Sequence, residues 1–389
     1  MILPQFEIQI VASLVAIACA IIGVFLVLRK MSLISDAISH SILLGIVLGF
    51  FITHDLNSPV LILFAALVGV LTVVLVEFIQ KTKLVKEDTA IGLVFPALFS
   101  IGIILISTNA SDIHLDIDAV LLGELAFAPF DRFIVMDYDL GPKSVWIMGG
   151  ILLIIVVSLF LFYKELKVTT FDPGLSAVLG ISPILIHYGL MSISSITIVG
   201  AFDAVGAILV VAFIIVPAST AYLITDNLRK MLIYSVAFGV ISAILGYWLA
   251  FILDASIAGA MTAVLGLIFI LVYLIAPKHG FLSNLSLQKR QAKEVKMLTL
   301  LLHLNSLNDG IENEEREIKH LYRHFRWTKK QANSILKFAE ENGMIEIDKE
   351  LIFLTNKGKE FSAKAIDYII TNRDDKIEGM KNEFMLFRG

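Results

Sequence analysis

IQIVASLVAIACAIIGVFLVLRKMSLISDAISHSILLGIVLGFFIT, residues 8–53, is two apolar runs parted by the basic pair Arg29 and Lys30. A hydrocarbon core about 30 Å thick takes about 20 apolar residues in helical form. The runs 8–28 and 33–53 meet that length, and so do 58–79, 89–107, 145–163, 183–202, 204–224, 231–253 and 257–276. The stretch 183–224 is broken only by Asp203, so eight or nine spans are expected. Composition agrees with this reading. Of 389 residues, 57% are hydrophobic and 17% charged, whereas a soluble domain is about half apolar and about a quarter charged. The single cysteine, Cys19, lies inside the first run and can form no disulfide within the chain.

Charge is distributed unevenly. Of 31 Lys and Arg, 20 follow residue 277. Basic residues favour cytoplasmic loops. With nine spans and the N-terminus outside, the inner loops hold Arg29, Lys30, Lys81, Lys83, Lys86, Lys164, Lys167, Arg229 and Lys230, against Arg132 and Lys143 outside. The opposite orientation inverts that ratio. The long segment 108–144, with Asp112, His114, Asp116, Asp118, Glu124, Asp131, Asp137 and Asp139, then lies outside as an acidic, solvated loop.

After Ala276-Pro277 the chain turns polar, and 278–389 read as a cytoplasmic domain appended to a membrane domain of 1–277. Helices are expected at 286–305, 312–325 and 328–342, with a turn at Asn308-Asp309-Gly310. Strand-like alternation follows over Met344–Leu354, then a helix at 355–371 capped by Thr355. The expected fold is thus an all-α polytopic membrane protein carrying a small α+β domain of winged-helix pattern.

Chemistry concentrates in the second run. Asp36 and His40 are four residues apart, so a helix presents both on one face. Counting about 1.5 Å per residue from Lys30 puts them about 9 and 15 Å into the membrane. A carboxylate at the centre of a span costs about 2.5–3.5 kcal/mol on insertion scales, and such groups usually face a partner or a pathway. Carboxylate with imidazole suits a borderline divalent cation. The plainer alternative is that Asp36 caps the helix while His40 bonds a neighbouring one. Ser35, Ser39 and Ser41 add polar groups, and Gly45-x-x-x-Gly49 offers a close-packing face.

RKMSLISDAISH (29–40) resembles the second helix of the permease subunits of ATP-driven importers for zinc, manganese and iron. KEDTAIGLVFPALFSIGIIL (86–105), LDIDAVLLGEL (115–125) and VGAILVVAFIIVPASTA (205–221) match the same family in the same order, so the resemblance covers about 8–277. It implies that Asp36 and His40 bind the divalent ion in transit. One departure is Leu44, where the family usually has Pro; a straighter helix is expected there. Further, TTFDPGLSAVLGISP (169–183) starts a short helix at Asp172-Pro173-Gly174 and ends it at Gly180. Phe171, Leu175, Ser176, Ala177 and Leu179 complete a weakly polar face. By the resemblance this is the helix that couples to an ATP-binding subunit. No G-x-x-x-x-G-K-[ST] phosphate loop occurs in the chain, so the ATPase is expected on a separate protein and the chain is not itself an enzyme.

The same resemblance implies an extracytoplasmic metal-binding protein and a second permease subunit, identical or related, as partners, with the lipid bilayer around the bundle. The metal is cargo, and no permanently bound cofactor is expected. Asp203, near the outer end of its run, is a possible pathway residue. His54 and Asp55 sit in a short outer loop, His187 is expected to satisfy a neighbouring helix, and Asp254 to end the eighth span. The tail segments KKQANSILKFAEENGMIEI and FLTNKGKEFS (329–347, 353–362) resemble the winged-helix part of metal-dependent repressors. Acidic Asp348 and Glu350 on the wing and Glu340-Glu341 on the helix oppose phosphate contacts, so a protein-contact or regulatory role is expected rather than nucleic-acid binding. Two other classes remain open: a gradient-driven metal transporter, which would act without an ATPase, and a membrane-tethered metal-responsive regulator, which would leave the Asp–His pair without a task.

Overall fold

Serine–proline and asparagine corners start several of the long helices. A computed structural model describes residues 2–55, 58–109, 125–135, 138–277, 280–307 and 316–371. At Ser58-Pro59 the serine hydroxyl accepts the Val60 N–H at 3.3 Å, and at Ser182-Pro183 it accepts the Leu185 N–H at 3.4 Å. Asn227 Oδ1 takes the Arg229 N–H at 3.0 Å. Such caps satisfy amides that have no intrahelical partner, while proline loses nothing at a first helical position.

The chain divides into two compact units, Met1–Gly280 and Phe281–Gly389. In the first, α1 (Ile2–Leu28), α2 (Leu33–Thr53), α3 (Pro59–Lys81) and α4 (Glu87–Asn109) precede a short 3-10 turn (Leu125–Phe127) and the antiparallel hairpin β1 (Arg132–Val135) and β2 (Tyr138–Pro142). Then follow α5 (Lys143–Phe171), the one-and-a-half-turn α6 (Pro173–Val178), α7 (Pro183–Val205), α8 (Ala207–Ile224), α9 (Leu228–Leu253) and α10 (Ile257–Ile275). Nine helices among the described residues are long and apolar enough to cross a membrane.

Two boundaries differ from the sequence-based expectation. Asp203 does not separate α7 from α8; it lies in the last turn of α7, and the break falls at Gly206. That residue has φ +81°, a backbone state open to glycine at little cost and poorly tolerated by a side chain. The fifth span does not stop at 163. Its helix bends at Phe162 and continues through KELKVTTF to Phe171, because those residues contain no helix breaker before Asp172-Pro173. Asp254 ends α9 in a left-handed conformation, as expected of a terminator.

Helices α1, α2 and α8 form the buried centre. Val11, Val15, Cys19 and Leu26 of α1, Ala37 and Ile38 of α2, and Leu209, Phe213 and Ile214 of α8 are buried. α2 lies between α3 and α4. A Cβ added at Gly45 would stand 2.5 Å from Ala65 Cα, and one at Gly49 would stand 3.0 Å from Leu61 Cα. The glycine pair is therefore the seam along which α2 meets α3 backbone to backbone. With Leu44 in place of proline, α2 runs unbroken from Leu33 to Thr53.

The second unit comprises α11 (Phe281–Ser306), α12 (Ile318–His324), α13 (Lys329–Glu341), the antiparallel hairpin β3 (Ile345–Asp348) with β4 (Leu351–Leu354), and α14 (Asn356–Thr371). Its core gathers Met297, Leu301, Leu321, Ile335, Met344, Ile352 and Phe361. Thr328 and Gln331 form a reciprocal capping box at the start of α13, and Thr355 Oγ1 accepts the Gly358 N–H at 3.0 Å to cap α14. The unit is a small helical body with one two-stranded hairpin. The turn expected at Asn308-Asp309-Gly310 and the first residues of the helix expected from 312 lie outside the described residues, as do Asp112, His114, Asp116, Asp118, Glu124 and Asp137.

Candidate metal-binding site

Asp36 is in the first turn of α2, but Ser32 occupies the cap position and makes no side-chain capping bond. The carboxylate instead turns to His40 one turn on, with Oδ1 3.4 Å from Nε2. Two ligands about 2.1 Å from one ion at a tetrahedral angle stand about 3.4 Å apart. The pair is thus already spaced as two ligands of one borderline cation. The ring of His40 lies on Phe95, centroids 5.4 Å apart and planes 30° apart, and meets the edge of Phe99 at 6.4 Å. Both aromatics belong to α4. They set the plane of the imidazole, a role that the reading of 86–105 passed over, although both lie inside that quoted stretch.

The pair is not sealed inside the bundle. Its side chains are 42% exposed at Asp36 and 36% at His40 on the surface of the single chain. No three His, Cys, Asp or Glu side chains among the described residues converge to hold an ion. The pair offers two donor atoms on an open face, fewer than the four that a tetrahedral zinc site takes.

The neighbouring serines, expected only as further polar groups, turn to their own helix. Ser35, Ser39 and Ser41 are buried and donate to carbonyls of their own helix, namely Ser32 O at 2.6 Å, Ser35 O at 2.9 Å and Ala37 O at 2.6 Å. Ser41 also shares a hydrogen bond with Thr72 of α3 at 2.7 Å. These hydroxyls are satisfied by backbone and packing, and they hold α2 in register with α3.

Polar ties elsewhere in the unit bear on the site. His187 Nε2 meets Glu77 Oε1, and the Tyr188 hydroxyl donates to Glu77 Oε2 at 2.8 Å, which joins α7 to α3. His187 therefore satisfies a neighbouring helix, as its place in an apolar run suggests. Arg132 donates to both oxygens of Glu7 at 2.9 Å and from Nη2 to Asp139 at 2.5 Å, fastening the start of α1 to the β1–β2 hairpin. Asp203 is exposed at the end of α7.

Around α6, Asp172 Oδ1 accepts the Leu175 N–H at 2.9 Å, and Gly180 ends the turn with φ +80°. Phe171, Asp172, Pro173, Gly174, Leu175, Ala177, Leu179 and Gly180 are exposed. Ser176 is the exception: it is buried, and its hydroxyl donates to Ile181 O at 3.2 Å, so it braces the loop from within. Val178, which the sequence reading passed over, is 84% exposed. Arg29, of the basic pair before α2, donates from Nε to Thr170 Oγ1 at 3.2 Å and from Nη2 to Thr169 Oγ1 at 3.0 Å. One end of the α1–α2 corner is thus tied to the helix turn that leads into α6. Burial lowers the pKa of Arg29 from its ordinary value.

A sequence profile described as the ABC 3 transport family matches residues 5–276. The zinc transport system membrane protein TroD of Treponema pallidum (strain Nichols) is 45% identical over 362 residues, spanning 93% of this chain and 98% of TroD. The manganese transport system membrane protein MntD of Bacillus subtilis (strain 168) is 44% identical over 294 residues, 74% of this chain and 99% of MntD. The solved structure of PsaBC from Streptococcus pneumoniae in complex with Fab is similar at a TM-score of 0.59 and 31% identity, over 71% of this chain and 93% of that one.

Proposed function

The chain belongs to the ABC 3 transport family, and from that premise we propose that it is the membrane permease subunit of an ATP-driven importer of a divalent transition metal, zinc, manganese or iron. It is a multi-pass protein of the cell membrane and a transport subunit, not an enzyme. The observation that carries the metal reading is the Asp36–His40 pair, ligand-spaced at 3.4 Å on an open face of a bundle of membrane-length helices.

The N-terminus lies outside and the second unit lies in the cytoplasm, a reading that rests on the basic loops. Lipid is a costly neighbour for a carboxylate at membrane depth. The open face around Asp36 and His40 is therefore covered by a second permease subunit, identical or related, whose own acid and imidazole complete the shell around the ion. An extracytoplasmic metal-binding protein delivers the ion to the outer mouth, where Asp203 lines the approach. The apolar face of α6, from Phe171 to Gly180, docks on a separate ATP-binding subunit, and ATP-driven movement of that subunit switches the exposure of the ion. The second unit has a winged-helix arrangement, supported by its order of three helices, a hairpin and a closing helix, and it serves a protein-contact or regulatory role.

The test is metal content in a strain lacking the transporter and complemented with variants. Asp36→Ala and His40→Ala are expected to lower accumulation of the transported metal by at least about tenfold, the low end of what loss of even an outer-shell partner of a metal ligand costs, while the chain still co-purifies with its ATPase. Wild-type accumulation in either variant would contradict the assignment.

A further inference from the structure

Helix α6 is anchored on both sides. Before it, at the end of α5, Arg29 donates to Thr170 Oγ1 at 3.2 Å and to Thr169 Oγ1 at 3.0 Å. After it, about one turn into α7, His187 Nε2 meets Glu77 Oε1 and the Tyr188 hydroxyl donates to Glu77 Oε2 at 2.8 Å. The Glu77 carboxyl group engages both of its oxygens, which fixes its orientation as a single bond would not. The His187 and Glu77 side chains are only 18% and 16% exposed. Glu77 is four residues short of Lys81, the last residue of α3, so it stands about 6 Å in from that end.

Both anchors lead to the helices around the Asp36–His40 pair. Arg29 is four residues ahead of Leu33, where α2 begins, and the corner between them is closed by the Met31 N–H on Leu26 O at 2.8 Å. Glu77 belongs to α3, which meets α2 along the Gly45 seam and through Ser41 and Thr72 at 2.7 Å. Ser41 directly follows His40. About two turns further along α7, Ser195 donates to Ala66 O of α3 at 2.9 Å. α3 and α7 are thus joined at two levels. Hydrogen bonds between helices are common in a bilayer, and a purely cohesive role could place them anywhere along the bundle. These two sets flank α6 in the chain, and both end on α2 and α3. A loop that docks on a moving subunit passes its displacement on only where its two ends are fixed to what must move.

On the premise that the chain is an ATP-driven permease, we propose that Arg29 and Glu77 are positioning residues that pass displacement of α6 to α2 and α3, and so to the ion pair. Neither belongs to the shell of the ion. Their loss separates ATP hydrolysis from uptake while the complex stays assembled.

The measurement is uptake of zinc and of manganese per ATP hydrolysed by the full chain reconstituted with its ATPase in liposomes. Arg29→Met removes one tie and leaves Thr169 Oγ1 donating to Glu165 O at 2.7 Å. Glu77→Gln weakens the other at nearly constant volume. Each is expected to lower the ratio by about 2- to 30-fold, the range over which residues between coupled sites act, with assembly, melting temperature and ATP hydrolysis near wild type. The exchange of Glu77→His with His187→Glu restores a carboxyl–imidazole pair across α3 and α7 and should return most of the ratio. A wild-type ratio in either single variant overturns the proposal. So does a parallel fall of melting temperature, hydrolysis and uptake that the exchange does not reverse, which would mark the ties as cohesive only. A wild-type complex that takes up neither metal with ATP refutes the permease reading itself, and the proposal falls with it.

Discussion

Asp36 and His40 face each other because an α-helix brings residues four apart to one side, and the aromatic pair Phe95 and Phe99 keeps the imidazole from turning away. The type and spacing of the two groups could be read from the sequence directly. The serines beside them could not, since a hydroxyl in an apolar run is as ready to bond its own helix as to face a pathway, and only the packing of α2 on α3 decides between them. Arg132 illustrates a different kind of residue. It holds Asp139 below the ordinary carboxylate value, first through its own hydrogen bonds and then with help from the Gly141 N–H. A carboxyl depressed on folding contributes stability above its unfolded pKa, about 3.9, and that contribution is lost as pH falls through the lower folded value. Arg132→Met should therefore lower the melting temperature of the purified chain at neutral pH, with the gap to wild type closing on acidification below about pH 4. Both partners are solvent-facing, so the gap should be small and should shrink with added salt. A gap that is constant with pH would show that Arg132 acts through packing alone.

At the scale of elements, the close approach of α2 and α3 is the feature most open to a single change. A side chain at Gly45 would run into the backbone at Ala65 and Phe64. Overpacking of this kind costs about 1–3 kcal/mol. Gly45→Leu should lower the thermal stability of the purified chain by that order, whereas Gly266→Ala, with no atom within 4 Å of an added Cβ, should leave it near wild type. Equal melting temperatures for the two variants would remove the seam from the account. The Gly45-x-x-x-Gly49 spacing made this face readable in advance. The break between α7 and α8 was less readable, because Asp203 is the conspicuous polar residue while the turn is made by Gly206, which composition hides. The length of α5 was missed for a related reason: past residue 163 the chain is polar enough to leave the membrane yet still strongly helical, and an apolarity threshold sees only the first property. For α6, the exposed apolar residues predict the docking face. Val178→Asp adds a charge at a side chain that is 84% exposed on the single chain, so the fold should be unchanged while co-purification of the ATPase falls. Undiminished co-purification would move the docking face elsewhere.

On the scale of the whole molecule, the bundle and the second unit have separate cores. The likeness to TroD takes in most of 278–389, while the relation to MntD covers 74% of the chain, so the permease part recurs with and without such a tail. On the proposed reading a second subunit covers the half-exposed acid and imidazole, and transport depends on a complex that no single chain supplies. Reconstitution of the permease with its ATPase in liposomes, followed by uptake of zinc and of manganese with and without ATP, tests this most directly. The account predicts ATP-dependent uptake that vanishes in His40→Ala while the assembled complex still binds ATP. Equal uptake by the permease without ATPase or ATP, or undiminished ATP-driven uptake in His40→Ala, would contradict it.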